Sequence, residues 1–253
     1  MEFPLHPGER IEKINDGLMV IRHPAHLPFG SDALLLAGYL RGGARKKAAE
    51  LGAGTGAVSL LAAVRGKFAR VDGYELQAGA VEIFERNIAL NRLENAVFAR
   101  EADVRALPSS LAGAYDCVFS NPPYMKTGQG KVCASSEREA ARHETAGGVE
   151  DFARAAAFLL KTGGEATFVY RPERLCDLLF AFRAAGVEPK RLTAVCADPA
   201  HAPSVVLVSG KKGAAPGLFV TPTFFVCAPD GSKSEDYLYV MEKGVFPEKY
   251  VKR

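Results

Sequence analysis

The sequence predicts an α/β protein, a mostly parallel sheet with helices on both faces. Three observations carry that expectation. Short apolar runs alternate with helix-length amphipathic ones between residues 47 and 209; a glycine-rich turn, Gly52-Ala53-Gly54-Thr55-Gly56, separates the first such strand from the first such helix; and Glu75, Asp103 and Asn121 stand where later apolar runs end. In open sheets of this kind ligands bind beyond the carboxyl ends of the strands, so polar residues at those addresses are site candidates.

The chain opens polar and irregular. Residues 8–22 then carry Ile11, Ile14, Leu18, Val20 and Ile21 around Asn15-Asp16-Gly17, and Asp-Gly between alternating apolar arms predicts a small hairpin. Ser31-Asp32 ahead of Ala33-Leu34-Leu35-Leu36-Ala37 predicts a helix capped by Ser31 or Asp32. Residues 41–47, with Arg41, Arg45, Lys46 and Lys47, read as a basic, solvated connector. Strands follow at 47–51, 70–74, 95–100 and 115–119, with helices at 57–64 and 78–90 between the first three. Beyond them, 152–160 reads as a helix that Gly163-Gly164 stops, 166–170 as a strand, 172–185 as a helix, and 191–196 and 204–209 as strands. That makes seven strands in the main sheet. From Gly217 onward, Leu218-Phe219-Val220, Phe224-Phe225-Val226, an Asp230-Gly231 turn and Tyr237-Leu238-Tyr239-Val240 predict antiparallel strands added at the sheet edge, with residues 249–253 frayed. The division expected is a hairpin extension at 1–30, one main domain at 31–212 and an antiparallel extension at 213–253 packed on that domain.

With 253 residues, 48% apolar and 24% charged, the chain can bury one substantial core. A net charge of +3 neither demands nor opposes nucleic acid. Cys117, Cys133, Cys176, Cys196 and Cys227 are scattered, without a Cys-x-x-Cys pair, which predicts neither a disulfide framework nor a metal site. No apolar run reaches the length of a membrane span, and Met1-Glu2-Phe3-Pro4 has no basic and apolar leader, so the expectation is a cytoplasmic protein without a membrane partner.

The most informative stretch is Ser120-Asn121-Pro122-Pro123-Tyr124, the loop leaving the fourth strand. Each proline fixes φ and donates no N–H, so the bend is stiff. The Asn121 side-chain oxygen and the Pro122 carbonyl are two acceptors suited to a planar NH2 group, and Tyr124 offers a face to the ring that carries it. A proline-rich turn that merely ends a strand is the plainer reading. A cofactor site upstream favours the chemical one. The glycine turn lets a ligand approach the backbone, Glu75 can accept ribose hydroxyls, and Asp103 can take an adenine amino hydrogen. Together the three strand tips outline an adenosine. Gly52-x-Gly54-x-x-Ala57 also fits a dinucleotide fingerprint. The long loop 125–148 lies where lids and substrate-binding segments are found.

Glu50-Leu51-Gly52-Ala53-Gly54-Thr55-Gly56 with Glu75, Asp103 and Asn121-Pro122-Pro123-Tyr124 resembles the Rossmann-like S-adenosylmethionine-dependent methyltransferases that modify planar amino nitrogens. Phe29-Gly30-Ser31-Asp32 before the glycine turn and Ala141-Arg142-His143-Glu144 in the long loop look like the bacterial tRNA(Val) adenine-N6 methyltransferases. That resemblance implies S-adenosylmethionine as cofactor and tRNA as partner, with no metal and a monomer favoured. It assigns Asn121, Pro122 and Tyr124 to the target base. It assigns Asp32, Glu50, Gly52, Gly54, Thr55, Gly56, Glu75, Leu76, Asp103, Val104 and Asn121 to the cofactor. Pro123, Tyr124, Lys126, Lys131, Arg142 and His143 are then substrate contacts, the charged four through phosphates. Glu50 stands where related sequences often carry Asp. Methylation of a glutamine side chain in a protein such as a release factor, of an rRNA or DNA base, a nicotinamide oxidoreductase, and a non-catalytic cofactor-binding protein remain alternatives.

Overall fold

A computed structural model describes residues 3–14, 17–24, 30–122 and 147–251. Strands β1 (Arg10–Lys13) and β2 (Met19–Arg22) form the N-terminal hairpin, antiparallel in register Ile11 to Ile21. Its turn residues Asn15 and Asp16 lie outside the described residues. The chain then runs α1 (Ser31–Tyr39), β3 (Gly43–Leu51), α2 (Ala57–Val64), β4 (Phe68–Glu75), α3 (Ala78–Leu90), β5 (Val97–Glu101) and β6 (Tyr115–Ser120). After these come α4 (Val149–Leu159), β7 (Leu160–Tyr170), α5 (Leu175–Ala184), β8 (Val187–Cys196), β9 (Pro203–Lys212), β10 (Phe219–Val220), β11 (Phe224–Phe225) and α6 (Glu235–Lys243).

Among the described residues the main sheet has nine strands in the order β10-β8-β9-β7-β6-β3-β4-β5, with β11 also on β8. Its parallel half follows from the helical crossovers, because parallel neighbours need a long connection. Strands β8 and β9 are joined by a short turn and pair antiparallel. Side chains of β3 alternate between two apolar layers: Ala48 joins the core beneath α1 and α2, while Ala49 and Leu51 join the core beneath α4 and α5.

Several expectations are corrected. Neither Ser31 nor Asp32 caps α1; its cap position is Gly30, and no side chain bonds the first turn. The basic connector is the start of β3, whose residues 44–47 are exposed; Gly43 and Lys47 pair with Phe68 and Arg70 of β4, and the register shifts between them. Gly163 and Gly164 do not stop a helix. They lie inside β7 at a register shift against β6, where Gly163 has φ +79° and a Cβ on Gly164 would meet the Leu160 side chain at 2.9 Å.

The C-terminal segment departs most from expectation. Strand β9 ends at the amino edge of the sheet, so the chain beyond it sets out from that edge, and β10 and β11 pair parallel with β8 instead of antiparallel. Tyr237 to Val240 are not a strand but part of α6. The helix signals were present in the sequence: Ser234 accepts the Tyr237 N–H at 3.1 Å, Glu235 and Asp236 occupy the first turn, Lys243 the last, and Gly244 closes it at φ +67°. Nor is Tyr250 frayed. It is 1% exposed, packs edge-on against Phe224 and Phe246, and its hydroxyl donates to Asp236 at 2.6 Å. Lys252 and Arg253 lie outside the described residues.

Replacing Tyr250 with alanine empties a filled position in that aromatic cluster and should cost about 3–5 kcal/mol in urea unfolding. A loss near zero would mean that the chain end is not part of the core.

Candidate active site at the carboxyl edge of the sheet

The register decides which residues meet. Leu51 at the end of β3 lies opposite Tyr74 of β4 on one side and Ser120 of β6 on the other, and Glu75 lies opposite Glu101 of β5. Gly52, Glu75, the Ala102-Asp103 step and Asn121 therefore leave one edge side by side. From β3 the chain builds outward through β4 to β5, then returns to the other flank as β6. Such a switch in winding direction opens a crevice at the carboxyl ends.

The glycine turn fills the floor of that crevice. Gly52, Gly54 and Gly56 have φ of +66°, +54° and +87°. A Cβ on Gly56 would stand 2.0 Å from the Phe84 ring, so side-chain packing and backbone conformation both demand glycine there. Gly54 differs. A Cβ built on it meets nothing within 4 Å, which leaves open space at the tip of the turn. Glu75, 8% exposed, braces this tip: Oε2 accepts the Gly54 N–H at 2.8 Å and Oε1 the Gln77 N–H at 2.9 Å. Each oxygen keeps a further lone pair for a ligand hydroxyl.

Glu50 points elsewhere. It is buried, and Oε2 accepts both the Ser59 N–H at 2.9 Å and the Ser59 hydroxyl at 2.5 Å, tying the end of β3 to α2. Burial pushes its carboxyl up to about 8, with the Ser59 bonds opposing and the Glu75 charge adding to the rise. Asp103 is half-buried, and both of its oxygens are held by Arg105, at 2.9 Å to the backbone N–H and 2.6 to 3.0 Å to the guanidinium. That contact holds its carboxyl below the ordinary range. Val104 beside it is buried, Leu76 and Thr55 are half-buried, and Asp32 is half-buried in the first turn of α1.

On the other flank Asn121 is half-buried and Pro122 buried. The Ser120 hydroxyl donates to the Leu51 carbonyl at 2.7 Å, stapling the tip of β6 to the tip of β3. Pro123, Tyr124, Lys126, Lys131, Arg142, His143 and the Phe29 of the upstream motif lie outside the described residues. Sequence reasoning missed Ser59, Asn87 and Ser120, which shape the site without facing it. A signal existed for one of them: Asn87 interrupts the apolar face Ile83, Phe84 and Ile88 of α3 and is fully buried there. Among the described residues no group of His, Cys, Asp or Glu could hold a metal ion, and no helix is long and apolar enough to cross a membrane.

Strand order, helix layers and the position of the crevice define a Rossmann-like methyltransferase fold. A predicted O-methyltransferase from Agrobacterium tumefaciens is similar in structure, with a TM-score of 0.70 at 21% identity over 85% of this chain and 98% of that one. P. horikoshii TYW2 in complex with MeSAdo gives a TM-score of 0.58 at 18% identity over 83% of this chain and 73% of that one. The chain belongs to the methyltransferase small domain family, whose profile matches residues 25–179.

Relatives named tRNA1(Val) (adenine(37)-N6)-methyltransferase include those of Aliivibrio salmonicida, 28% identical over 56% of this chain and 59% of the relative. The Escherichia coli O157:H7 (strain EC4115 / EHEC) protein is 30% identical over 46% of this chain and 47% of its own length. That of Porphyromonas gingivalis is 28% identical over 70% and 72%. The chain thus spans about half the length of the first two relatives.

The Glu50 carboxyl, raised from 4.5 to about 8, retains in the folded chain a proton that the unfolded chain has released. Its stabilising contribution is full below the unfolded value and is lost as pH rises through the folded one. Glu50→Gln is neutral at every pH and should gain on the wild type in urea midpoints between about pH 5 and about pH 8. Parallel curves over that window would mean that Glu50 is ionised in the fold.

Proposed function

We propose that this chain is an S-adenosylmethionine-dependent methyltransferase acting on the exocyclic N6 of an adenine in tRNA, the anticodon-adjacent adenine of tRNA(Val). Residues 31–212 form its catalytic domain, flanked by 1–30 and 213–253. The observation that carries the reading is the pairing of Leu51 with Ser120, which sets Asn121-Pro122 beside the glycine turn. The residues present fit an adenosine-bearing cofactor: open space lies over Gly54, and a carboxylate with spare lone pairs stands at Glu75. The names of the relatives supply the substrate class.

When bound, S-adenosylmethionine supplies an electrophilic methyl group on its sulfonium. The adenine amino nitrogen is a weak nucleophile because its lone pair is delocalised into the ring. In this reading the Asn121 side-chain oxygen and the Pro122 carbonyl accept its two N–H groups and favour a pyramidal nitrogen whose lone pair points at the methyl. Positive charge grows on that nitrogen during transfer, so both acceptors bind the transition state more tightly than the ground state. Most of the remaining acceleration comes from positioning. The surplus proton leaves to water. A base in an anticodon loop is already single-stranded, and splaying it out costs little unstacking.

The test is transfer of labelled methyl from S-adenosylmethionine to total tRNA, rRNA and protein, followed by nucleoside analysis. The expected product is N6-methyladenosine in tRNA(Val), and Asn121→Ala should slow its formation about 10²- to 10³-fold, as for loss of one preorganised polar group. Label in protein or rRNA alone, or wild-type turnover by the variant, would overturn the assignment.

A further inference from the structure

A two-stranded ribbon leaves each strand with an open edge of unpaired backbone groups. On β2 that edge is closed by the side-chain amides of Asn87 in α3 and of Asn91, the C-cap of that helix. Asn87 Oδ1 accepts the Ile21 N–H at 2.7 Å, Asn91 Oδ1 accepts the Met19 N–H at 2.9 Å, and Asn91 Nδ2 donates to the Met19 carbonyl at 2.6 Å. The fit is geometric. Two residues along a strand advance about 6.8 Å and four along a helix about 6 Å, so asparagines one turn apart meet alternate N–H groups.

Asn87 does more than Asn91. Its Nδ2 donates to the carbonyl of Thr55, inside the glycine turn, at 3.0 Å. One fully buried amide thus bonds the N-terminal hairpin at one end and the turn at the other. In the low-dielectric interior such a two-ended bond is costly to leave half made, so both partners are held or both are loosened together. Phe84, one turn earlier on the same helix face, packs against the turn at Gly56 and against β4 at Gly73. On the outside the hairpin is fastened separately: Arg86 grips both Glu9 oxygens at 2.6 and 2.7 Å and the Pro4 carbonyl at 2.7 Å.

We propose that Asn87 is a positioning residue that couples the hairpin to the glycine turn, so that docking of strands β1 and β2 and filling of the cofactor cradle stabilise each other. This rests on the reading of the turn as an S-adenosylmethionine cradle. Coupling between two sites is reciprocal, so it can be read from either end. Asn91 and Glu9 touch the hairpin attachment and not the turn, which makes them the discriminating positions.

The experiment uses the full chain and S-adenosylhomocysteine as probe. Asn91→Ala and Glu9→Ala should each weaken its binding about fivefold or more, and Asn87→Asp, which keeps the acceptor for Ile21 but loses the donor to Thr55, should weaken it further. KM for S-adenosylmethionine should rise in all three while KM for RNA stays unchanged, a split that general loss of folded protein would not give. In the wild type, saturating S-adenosylhomocysteine should slow hydrogen exchange at the Met19 and Ile21 amides, which tests the coupling without any variant. Tight binding by the wild type with unchanged exchange at those amides, or undiminished affinity in the folded Asn91 and Glu9 variants, would overturn the coupling alone. No binding by the wild type would overturn the cofactor reading and the coupling with it.

Discussion

The hydrogen-bonded register between β3 and its two parallel neighbours is the constraint on which the rest depends. Because Leu51 is fixed opposite both Tyr74 and Ser120, the three loops that follow begin at one level, and a shift of a single residue would turn every side chain of β3 to the other face. The alternation of Ala48 against Ala49 and Leu51 between two apolar layers makes that shift expensive. Polar devices then fix the tips that the ladder has aligned: Ser120 on the Leu51 carbonyl, Glu50 on Ser59, and Glu75 on the Gly54 and Gln77 amides. Each ties a loop at the edge of the sheet to a neighbouring strand, loop or helix.

The opposite end of the molecule solves a different problem, the unsatisfied carbonyls at the end of α1. Lys67 Nζ donates to the carbonyls of Gly38 and Leu40 at 3.0 and 2.9 Å, and Arg191 donates to the carbonyl between them, Tyr39, at 2.8 Å while lying 3.6 Å over the Tyr39 ring. Two buried cations thus close three successive carbonyls at the negative end of a helix dipole. Desolvation has a cost: burial pulls the Lys67 ammonium down to about 7 and lowers Arg191 as well. Arg191 also reaches the Tyr250 carbonyl at 3.3 Å, which links α1 to the last turn of the described chain. The C-terminal segment is therefore part of the core beneath α1, which itself packs on α2 and over β7 and β9.

How much of this was legible depended on where each signal lay. The helices at 57–64 and 78–90 were read with their observed bounds, because apolar periodicity and good helix formers agree over one short window. The C-terminal helix was misread because Tyr237-Leu238-Tyr239-Val240 is apolar and rich in β-formers, although Ser234 and Gly244 marked its ends. The glycines, Glu75 and Asn121 were legible because a polar or glycine residue at the end of an apolar run is conspicuous in one dimension. Asn87 was not, since its partners Ile21 and Thr55 lie 66 and 32 positions away and a buried amide has no meaning until they arrive.

By itself the sequence determined the alternation of strand and helix, the glycine turn with its acids, and the polar step to Asn121 at the end of β6, all of which rest on local periodicity and backbone preference. Only the tertiary structure decided that β10 and β11 run parallel to β8, that Glu50 faces Ser59, that Asp103 is shared with Arg105, and that the hairpin is stitched to the turn through α3. The reason is physical. Direction in a sheet and the partner of a buried polar atom depend on which segments come together in space, and no residue carries that information until the backbone has closed around it.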